Sequence, residues 1–306
     1  MDRLISMSVF AAVVEHENFT AAAEHLKISR ASASKHISAL EDSLGGRLLN
    51  RTTRHISLTE AGKAYYQRCK KILEDVEEAE CVVTGFSAEP RGLLRINAPM
   101  SFGIRQLGGI VSRFCQALPA IQVELSLNDR FVDIVEEGYD LVIRIARLAD
   151  SSMVARKLAP CFRVLCASPS YLATQGYPSN PEELSQHSCL HYTYLESDKH
   201  WVLNAPDGTE HRVVIQPPLV ANNGDALCSA AIEGLGIVML PTFIVGDAIR
   251  AGELEIILPD YRPPDINLYS VYPSSRHLSA KVRAFIDFAI KEIGEQPSWD
   301  LELFSD

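Results

Sequence analysis

The stretch Thr20–Thr52 reads TAAAEHLKISRASASKHISALEDSLGGRLLNRT and carries the clearest structural pattern in this chain of 306 residues. Apolar residues recur in its middle part at the three- and four-residue spacing of one helix face: Ala33, Ile37, Leu40 and Leu44. Ser29 stands where an N-cap is expected, and Gly45-Gly46 follows where glycine commonly ends a helix. The pattern predicts a helix between these signals, with serines and basic residues on its other face.

Two shorter helices are predicted before this one. Apolar residues at helical spacing mark one face of the first helix: Leu4, Met7, Phe10, Ala11 and Val14. Asn18 or Thr20 is expected to cap a second helix, Ala21–Leu26. The four-residue joint Lys27–Arg30 then leads into the third helix, so the pattern is that of a helix-turn-helix at about 19–38.

A wing and a long helix are predicted after the third helix. Two β-capable runs, Leu48–Leu49 and Ile56–Leu58, flank a basic loop that contains Arg51, Arg54 and His55. Thr59 is expected to cap the long helix that follows.

The long helix carries an apolar residue at alternating spacings of four and three: Tyr65, Cys69, Ile72, Val76, Ala79 and Val83. That repeat is typical of a coiled-coil seam between two chains, on a rod of roughly 35–40 Å. A helix packed along its own domain is the alternative. Gly85 and the sequence AEPRG at 88–92 predict a hinge after it.

Beyond the hinge, strand and helix patterns alternate. The first set comprises strand LLRINAPM, helix Phe102–Leu118, strand IQVELSL, short helix VDIVEEG and strand DLVIRIA. The second set comprises strand PLVAN, helix Ala226–Glu233, strand GIVMLP, helix Phe243–Arg250, strands LEIIL and LYSVYP, and helix Ser279–Ile293. This order predicts a mostly parallel sheet covered on both faces, with a ligand crevice at the carboxyl ends of the strands.

Charge is unevenly distributed along the chain. The formal net charge is −10, but residues 1–59 hold seven Lys/Arg against six Asp/Glu. We therefore expect an N-terminal part that tolerates polyanions and an acidic body that does not. No apolar run approaches the ~18–20 residues of a membrane span, and charged residues in the first twenty positions argue against a signal peptide, so a cytoplasmic protein is expected.

The seven cysteines include no Cys-x-x-Cys pair. Reduced, buried thiols are therefore expected, and no metal site or other cofactor is predicted.

The motifs resemble those of the LysR-type transcriptional regulators. The resemblance is most specific over residues 1 to about 62, through TAAAEHLKISRASASKHISALEDSLGGRLLNRT and ISLTEAG. Weaker markers follow in Ala98-Pro99, Asp140–Ile145, Ala167-Ser168-Pro169 and Glu233–Gly236, and DLVIRIARLADSSMVARKL resembles the subgroup with a compact effector domain.

The resemblance implies three parts. These are a winged helix-turn-helix at 1–59, a linker and dimerisation helix with hinge at 60–90, and an effector-binding domain at 91–302. That domain is expected to be a periplasmic-binding-protein-like pair of α/β lobes, lobe I at about 91–163 and 268–302 and lobe II at about 164–267. Partners implied are double-stranded DNA at a partly palindromic operator, a small organic effector, and further copies of the chain in a dimer or tetramer; contact with RNA polymerase is left open.

The recognition helix is expected to present small and basic side chains to the major groove, and the wing to contact the backbone or minor groove. The predicted DNA-binding residues are Thr20, Ser29, Arg30, Ala31, Ser32, Ser34, Lys35, Ser38, Arg51, Thr53, Arg54 and His55.

In the effector domain, the strand-to-helix junction at Ser101 offers backbone N–H groups and a hydroxyl to a carboxylate. The effector contacts expected from this reasoning and from the resemblance are Met100, Ser101, Phe102, Asn128, Arg147, Tyr192, Asn222 and Asn223. Arg147 could instead bridge surface acids, and packing is the stronger expectation for Tyr192, Tyr194 and Trp201.

Three other functions were weighed. An enzyme is disfavoured because no complete dinucleotide, phosphate-loop, nucleophile-elbow or metal motif is present. A solute-binding protein would carry a signal peptide and no winged helix. A thiol-redox-sensing regulator of the same fold stays open, although Cys161, Cys166 and Cys189 do not closely match the cysteine arrangement of peroxide-sensing relatives.

Overall fold

The computed structural model describes residues 2–51, 56–84, 89–147, 154–195, 199–273, 278–300 and 303. The chain forms two compact units, Met1–Ala88 and Glu89–Asp306. Within the described ranges, no helix is long and apolar enough to cross a membrane.

The first unit is a three-helix module followed by a two-stranded sheet and a long helix. Its elements are α1 (Arg3–His16), α2 (Phe19–His25), α3 (Arg30–Leu44), β1 (Leu49–Arg51), β2 (Ile56–Leu58) and α4 (Glu60–Thr84). Strands β1 and β2 pair antiparallel. The predicted order of helices, wing strands and long helix is therefore confirmed.

Local capping sets the helix boundaries. The Asn18 side chain accepts the N–H of Thr20 at 2.7 Å, so Asn18 caps α2, which starts two residues earlier than predicted. The Ser29 hydroxyl accepts the N–H of Ser32 at 3.1 Å, and Gly45 ends α3 in the left-handed conformation with φ of 69°. Both ends of α3 thus match the sequence signals.

The first part of α4 packs against its own module. Cys69 has no exposed surface, and the Tyr65 ring lies 5.8 Å from that of Phe10. Glu15 on α1 accepts the Tyr66 hydroxyl at 3.0 Å and lies 3.1 Å from the Lys70 ammonium. These contacts correct the predicted seam at Cys69, because a side chain fully buried in its own module cannot meet a second chain; contact at the partly buried Tyr65 stays a prediction.

The rest of the predicted seam is only partly described. Ile72 is 39% exposed, and Val76 is partly buried. The side chains of Ala79 and Val83 lie outside the described part of the helix, as do Gly85 and Ala88 of the predicted hinge. Contact between two chains along Ile72 and the residues beyond it stays a prediction.

The second unit begins with a five-stranded sheet, ordered β4-β3-β5-β14-β6. Its strands are β3 (Gly92–Ala98), β4 (Ile121–Leu127), β5 (Leu141–Ala146), β6 (Val154–Cys161) and β14 (Ile266–Tyr272). Its helices are α5 (Met100–Phe102), which continues through a π-helical turn (Gly103–Leu107) into α6 (Gly108–Ala117), and α10 (Ala280–Ile293).

A second five-stranded sheet, ordered β11-β8-β12-β7-β13, forms the other lobe. Its strands are β7 (Arg163–Ala167), β8 (Cys189–Tyr192), β11 (Val220–Ala221), β12 (Ile237–Pro241) and β13 (Glu255–Ile257). Its helices are α7 (Pro169–Gln175), α8 (Gly224–Ile232) and α9 (Thr242–Arg250), and a hairpin of β9 (His200–Asn204) and β10 (Glu210–Val214) lies beside them. We refer to the first sheet with its helices as lobe I and to this one as lobe II.

The chain passes between the two sheets twice. It leaves lobe I at Phe162, between β6 and β7, and returns between β13 and β14. Apolar side chains of both lobes join in one core cluster, with Phe102 and Phe285 from lobe I and Leu240 and Phe243 from lobe II.

Two expectations for this unit are wrong. Both sheets are mixed, because β14 pairs antiparallel with β5 and β6, and β7 pairs antiparallel with β12 and β13. These antiparallel pairings involve β7 and β14, the strands that follow each passage between the lobes. An antiparallel neighbour needs no crossover helix, whereas a parallel one does. Residues 134–138 (IVEEG) form hydrogen-bonded turns instead of the predicted helix, with the Asp133 carboxylate holding the N–H groups of Val135 and Glu136.

Candidate nucleic-acid interface and ligand cleft

The outer face of α3 carries the predicted small and basic side chains. Arg30, Ala31 and Lys35 are exposed, and three serines are partly exposed: Ser32, Ser34 and Ser38. The opposite face is buried through Ala33, Ile37 and Leu40. The short side chains leave the helix backbone close to any surface that this face meets.

Glu41 fixes the end of α3 against the wing strands. Its carboxylate accepts the N–H of Leu48 at 2.8 Å and that of Leu49 at 3.1 Å. At the other side of the helix, the His36 ring lies 3.0 Å from the Ser6 hydroxyl on α1. The sequence did not predict this role of Glu41. Its partners lie seven and eight residues away, beyond the end of α3, and such contacts leave no periodic pattern in the sequence.

Some backbone N–H groups at the N-termini of α2 and α3, which could have bound phosphates, are already hydrogen-bonded. The N–H groups of Thr20 and Ser32 are already held by the Asn18 and Ser29 caps. Thr20 and Ser29 are exposed, so their side chains stay accessible. Of the predicted wing contacts, Thr53, Arg54, His55 and the side chain of Arg51 lie outside the described residues.

In the second unit, Ser101 lies where the two lobes meet. It is 5% exposed, and its hydroxyl has no hydrogen-bond partner in the described part of the chain. A Cβ placed on Gly224, at the start of α8 in lobe II, would lie 3.5 Å from this hydroxyl. The Ser101 hydroxyl is therefore a buried polar group at the interlobe cleft that still needs a partner.

An ion pair joins the lobes beside Ser101. Arg105 of lobe I binds Asp225 of lobe II at 2.6 Å, and its guanidinium also lies 3.7 Å from Asp247. Among the described residues, neither the second carboxylate oxygen of Asp225 nor the side-chain oxygen of Asn128, which follows β4, has a hydrogen-bond partner, and both atoms are buried. Each of these oxygens can accept a hydrogen bond.

A second charged group lies close by. The Asp129 carboxylate accepts the N–H of Met100 at 3.0 Å, and burial raises the pKa of this carboxyl above its usual value against the effect of Arg144. Arg144 donates to the Asn97 side-chain oxygen at 3.1 Å and to the Arg130 carbonyl at 3.2 Å, and burial lowers its pKa. The N–H of Met100, one of the groups predicted to bind an anionic ligand, therefore already donates to the Asp129 carboxylate.

Arg144, which was not predicted as an effector contact, acts on this cluster. Arg147 is exposed, whereas Arg144 is half-buried and acts electrostatically on both Asp129 and Tyr192. Sequence reasoning missed Arg144 because it lies inside the strand LVIRIA. The signal that could have found it is a single charged residue within an otherwise apolar strand.

The other predicted effector residues have mixed environments. Met100 is 38% exposed, while Phe102 lies in the core, so only its backbone can face a ligand. Asn222 is exposed, and the Asn223 side chain caps α8 through the N–H of Ala226 at 3.0 Å.

The aromatic side chains divide in the same way. Trp201 has no exposed surface, which confirms the expectation of packing. Tyr192 is partly buried, with its ring 5.9 Å from that of Tyr194, and burial raises its pKa.

The cysteines described in this unit are mostly buried and free. Burial raises the pKa of Cys161 and Cys189 to about 12, and that of Cys228 to about 11. Cys166 has a raised pKa for the same reason, with Cys228 acting on it electrostatically. Thiols with such values are protonated near neutral pH and are weak nucleophiles.

Two family profiles match the chain. A bacterial regulatory helix-turn-helix profile of the lysR family matches residues 4–63, and the profile of the LysR substrate binding domain matches residues 87–294. Each covers one of the two units described above.

Curated relatives span nearly the whole chain. An uncharacterized HTH-type transcriptional regulator from Haemophilus influenzae is 42% identical over 92% of this chain and 98% of its own. The HTH-type transcriptional activator AaeR from Escherichia coli is 39% identical over 94% of this chain and 93% of its own. These relatives are regulators rather than enzymes.

Solved structures of full-length regulators are also similar. CrgA from Neisseria meningitidis, a LysR-type transcriptional regulator, is 32% identical with a TM-score of 0.60, covering 95% of this chain and 99% of its own. The virulence activator AphB from Vibrio cholerae is 32% identical with a TM-score of 0.58, at 95% and 99% coverage.

Proposed function

The chain belongs to the LysR family of DNA-binding transcriptional regulators, and from this premise we propose that α3 reads a partly palindromic operator under the control of a small organic anion bound between the two lobes. The protein is proposed to act in the cytoplasm. It is proposed to act as a dimer or tetramer, because a single near-neutral DNA-binding module supplies little non-specific attraction to DNA. Contact with RNA polymerase at the promoter belongs to the same proposal.

The outer face of α3 supports the DNA part of the proposal. Exposed Arg30 and Lys35 can reach guanine acceptors or phosphates, and Ser34 and Ser38 can bond either. Ala31 keeps the helix close to the groove floor. The wing residues Arg51, Thr53, Arg54 and His55 are proposed to hold the adjacent backbone.

The unpartnered hydroxyl of Ser101 is the observation that carries the effector part. It lies at the beginning of a helix that runs without a break to Ala117, and it meets lobe II at Gly224. We assign the acid group of the ligand to Ser101 and to the positive charge of Arg144. Met100, Tyr192 and Asn222 border the same cleft.

The two buried acceptor atoms extend the ligand's chemistry. The free oxygens of Asp225 and Asn128 can each receive a proton donor. We infer a ligand that carries at least two donor hydrogens, from an amino group or from two hydroxyls, in addition to the acid group that meets Ser101. A simple monocarboxylate leaves the two acceptors unsatisfied.

The DNA proposal is tested by gel mobility shift on the DNA flanking the protein's own gene. The double variant Ser34→Ala, Lys35→Ala should lose the specific complex and keep its oligomeric state, because both side chains lie on the outer face of α3. Loss of one good base contact costs about 1–3 kcal/mol, so the pair should weaken specific binding by at least tenfold.

The matched control is Ser43→Ala with Lys63→Ala. Ser43 lies nine residues beyond Ser34 on α3, which places it on the opposite side of the helix, and Lys63 is an exposed residue of α4. The control removes the same side chains and should bind normally. Normal binding by the first variant would show that α3 does not read the operator through this face.

Thiol-redox sensing is the alternative. The regulatory domain of AphB from Vibrio vulnificus has been solved as a cysteine-to-serine variant and after treatment with cumene hydroperoxide, at 28% and 29% identity to this chain. Buried Cys228 acts electrostatically on Cys166 here, but burial raises the pKa of both thiols. We therefore expect cumene hydroperoxide to change neither the thiol count nor DNA binding; formation of a disulfide that alters binding would favour the alternative.

A further inference from the structure

The end of the chain crosses from one lobe to the other. Helix α10 packs in lobe I, where the Phe285 ring lies 5.1 Å from that of Phe114. The 3-10 turn Ser298–Asp300 that follows packs instead against α9 of lobe II. The sequence-based division places residues up to 302 in lobe I, whereas the structure also brings Trp299 and Asp300 into contact with lobe II.

Trp299 joins an aromatic cluster built from three separate segments. Its ring lies 6.0 Å from that of Phe102 in lobe I and 6.3 Å from that of Phe243 in lobe II, and these two rings lie 5.5 Å apart. All three contacts are edge-to-face, the arrangement that aromatic pairs prefer. Trp299 is only 7% exposed, whereas terminal residues are usually solvated.

Asp300 adds a polar contact at the first crossing between the lobes. Its carboxylate accepts the hydroxyl of Thr242 at 2.5 Å. The Thr242 N–H donates at 2.9 Å to the carbonyl of Phe162, the residue where the chain leaves lobe I. Thr242 has no exposed surface, so the tail, the start of α9 and the crossing form one continuous hydrogen-bonded contact.

The tail also lies close to the body of α9. A Cβ added to Gly246 would come within 3.2 Å of the Leu303 side chain and 3.4 Å of the Trp299 carbonyl. A larger residue at this position would push the tail away.

We infer that the C-terminal segment Ser298–Asp300 is an interlobe strap that restrains movement of lobe II at the Phe162 crossing and positions Phe102. Trp299 and Asp300 are its positioning residues. Because Phe102 directly follows Ser101, the strap also fixes the backbone beside the proposed ligand site, and only this last consequence rests on the proposed function.

The strap is tested by the distance between the lobes. Nitroxide labels attached through an unnatural amino acid at Gln122 (lobe I) and Gln186 (lobe II), both exposed, avoid the native cysteines. Double electron–electron resonance is recorded on the full-length protein, diluted with unlabelled protein so that distances within one chain dominate. No ligand is present, so the result does not depend on the proposed effector site.

Trp299→Ala and Asp300→Ala should each broaden the distance distribution. Trp299→Phe retains an aromatic ring, and Asp300→Asn retains an oxygen that accepts from Thr242, so both should restore the wild-type width. The matched control is Trp201→Ala, since Trp201 is fully buried within lobe II alone and its loss should lower the melting temperature without altering the interlobe distances.

A wild-type distribution in folded Trp299→Ala and in Asp300→Ala would overturn the inference. Equal broadening in Trp201→Ala would also overturn it, because general loosening would then explain the effect. If Trp299→Ala does not fold, the comparison of Asp300→Ala with Asp300→Asn decides: the inference requires a broader distance distribution in Asp300→Ala only.

Discussion

At the scale of single residues, the buried hydroxyl of Ser101 carries the most information about ligand binding. No described residue forms a hydrogen bond with it, whereas buried polar atoms in folded proteins nearly always have a partner. A ligand that supplies the partner would recover the cost of burying the group. The same reasoning applies to the free oxygens of Asn128 and Asp225.

Replacement of Ser101 by alanine should therefore separate stability from response. Because an unsatisfied hydroxyl is removed, the free energy of unfolding should stay within about 1 kcal/mol of wild type or rise. The shift in melting temperature produced by the best ligand from a panel of small hydroxy- and aminocarboxylates should shrink. Differential scanning fluorimetry measures both quantities.

Ser112→Ala serves as the comparison, since this serine is exposed on α6 and is not a predicted ligand contact. A large loss of stability in Ser101→Ala would mean that the hydroxyl is structural. An unchanged ligand shift would place the binding site elsewhere.

Arg144 and Arg147 show what residue-level sequence reasoning could and could not find. The position of Arg147 after a strand suggested a cleft residue, but the structure leaves it exposed and buries Arg144. The contacts that bury Arg144 come from Asn97 and Arg130, which are 47 and 14 residues away. Contacts at such separations leave no local pattern.

At the scale of elements, helix signals were informative because they are local. The Ser29 cap, the apolar face and the Gly45 end of α3 all lie within 17 residues of each other, and each is confirmed. Strand pairing was not predictable in the same way. Strand β14 pairs with β5 and β6 more than a hundred residues earlier, so nothing near β14 in the sequence fixes its direction.

The junction of the wing and α4 gives an element-scale prediction. A Cβ on Gly62 would lie 1.9 Å from the backbone oxygen of Leu48, a contact that no side-chain rotation can relieve. Gly62→Ala should therefore separate α4 from the wing and lower the stability of the first unit by about 3 kcal/mol or more.

Gly46→Ala is the matched control, because no atom of the described residues lies within 4 Å of its added Cβ. It should leave the melting temperature nearly unchanged. Circular dichroism during thermal unfolding compares the two variants. Equal stability of Gly62→Ala and wild type would show that α4 does not approach the wing this closely.

At the scale of the whole molecule, charge and symmetry together decide how DNA is bound. The first 59 residues carry nearly balanced charge within a chain of net charge −10. Under the proposed function, we expect affinity to come from presenting at least two recognition helices at once, on a spacing set by α4 and the proposed oligomer. Ile72, unlike fully buried Cys69, offers exposed apolar surface on α4 for that contact.

The most direct test of the account is a DNase I footprint of the full-length protein on the DNA flanking its own gene, in excess non-specific competitor. The account predicts two protected half-sites related by partial two-fold symmetry, separated by one or more turns of the double helix. Absence of any protected sequence, or protection without half-site symmetry, would contradict sequence-specific binding by paired α3 helices.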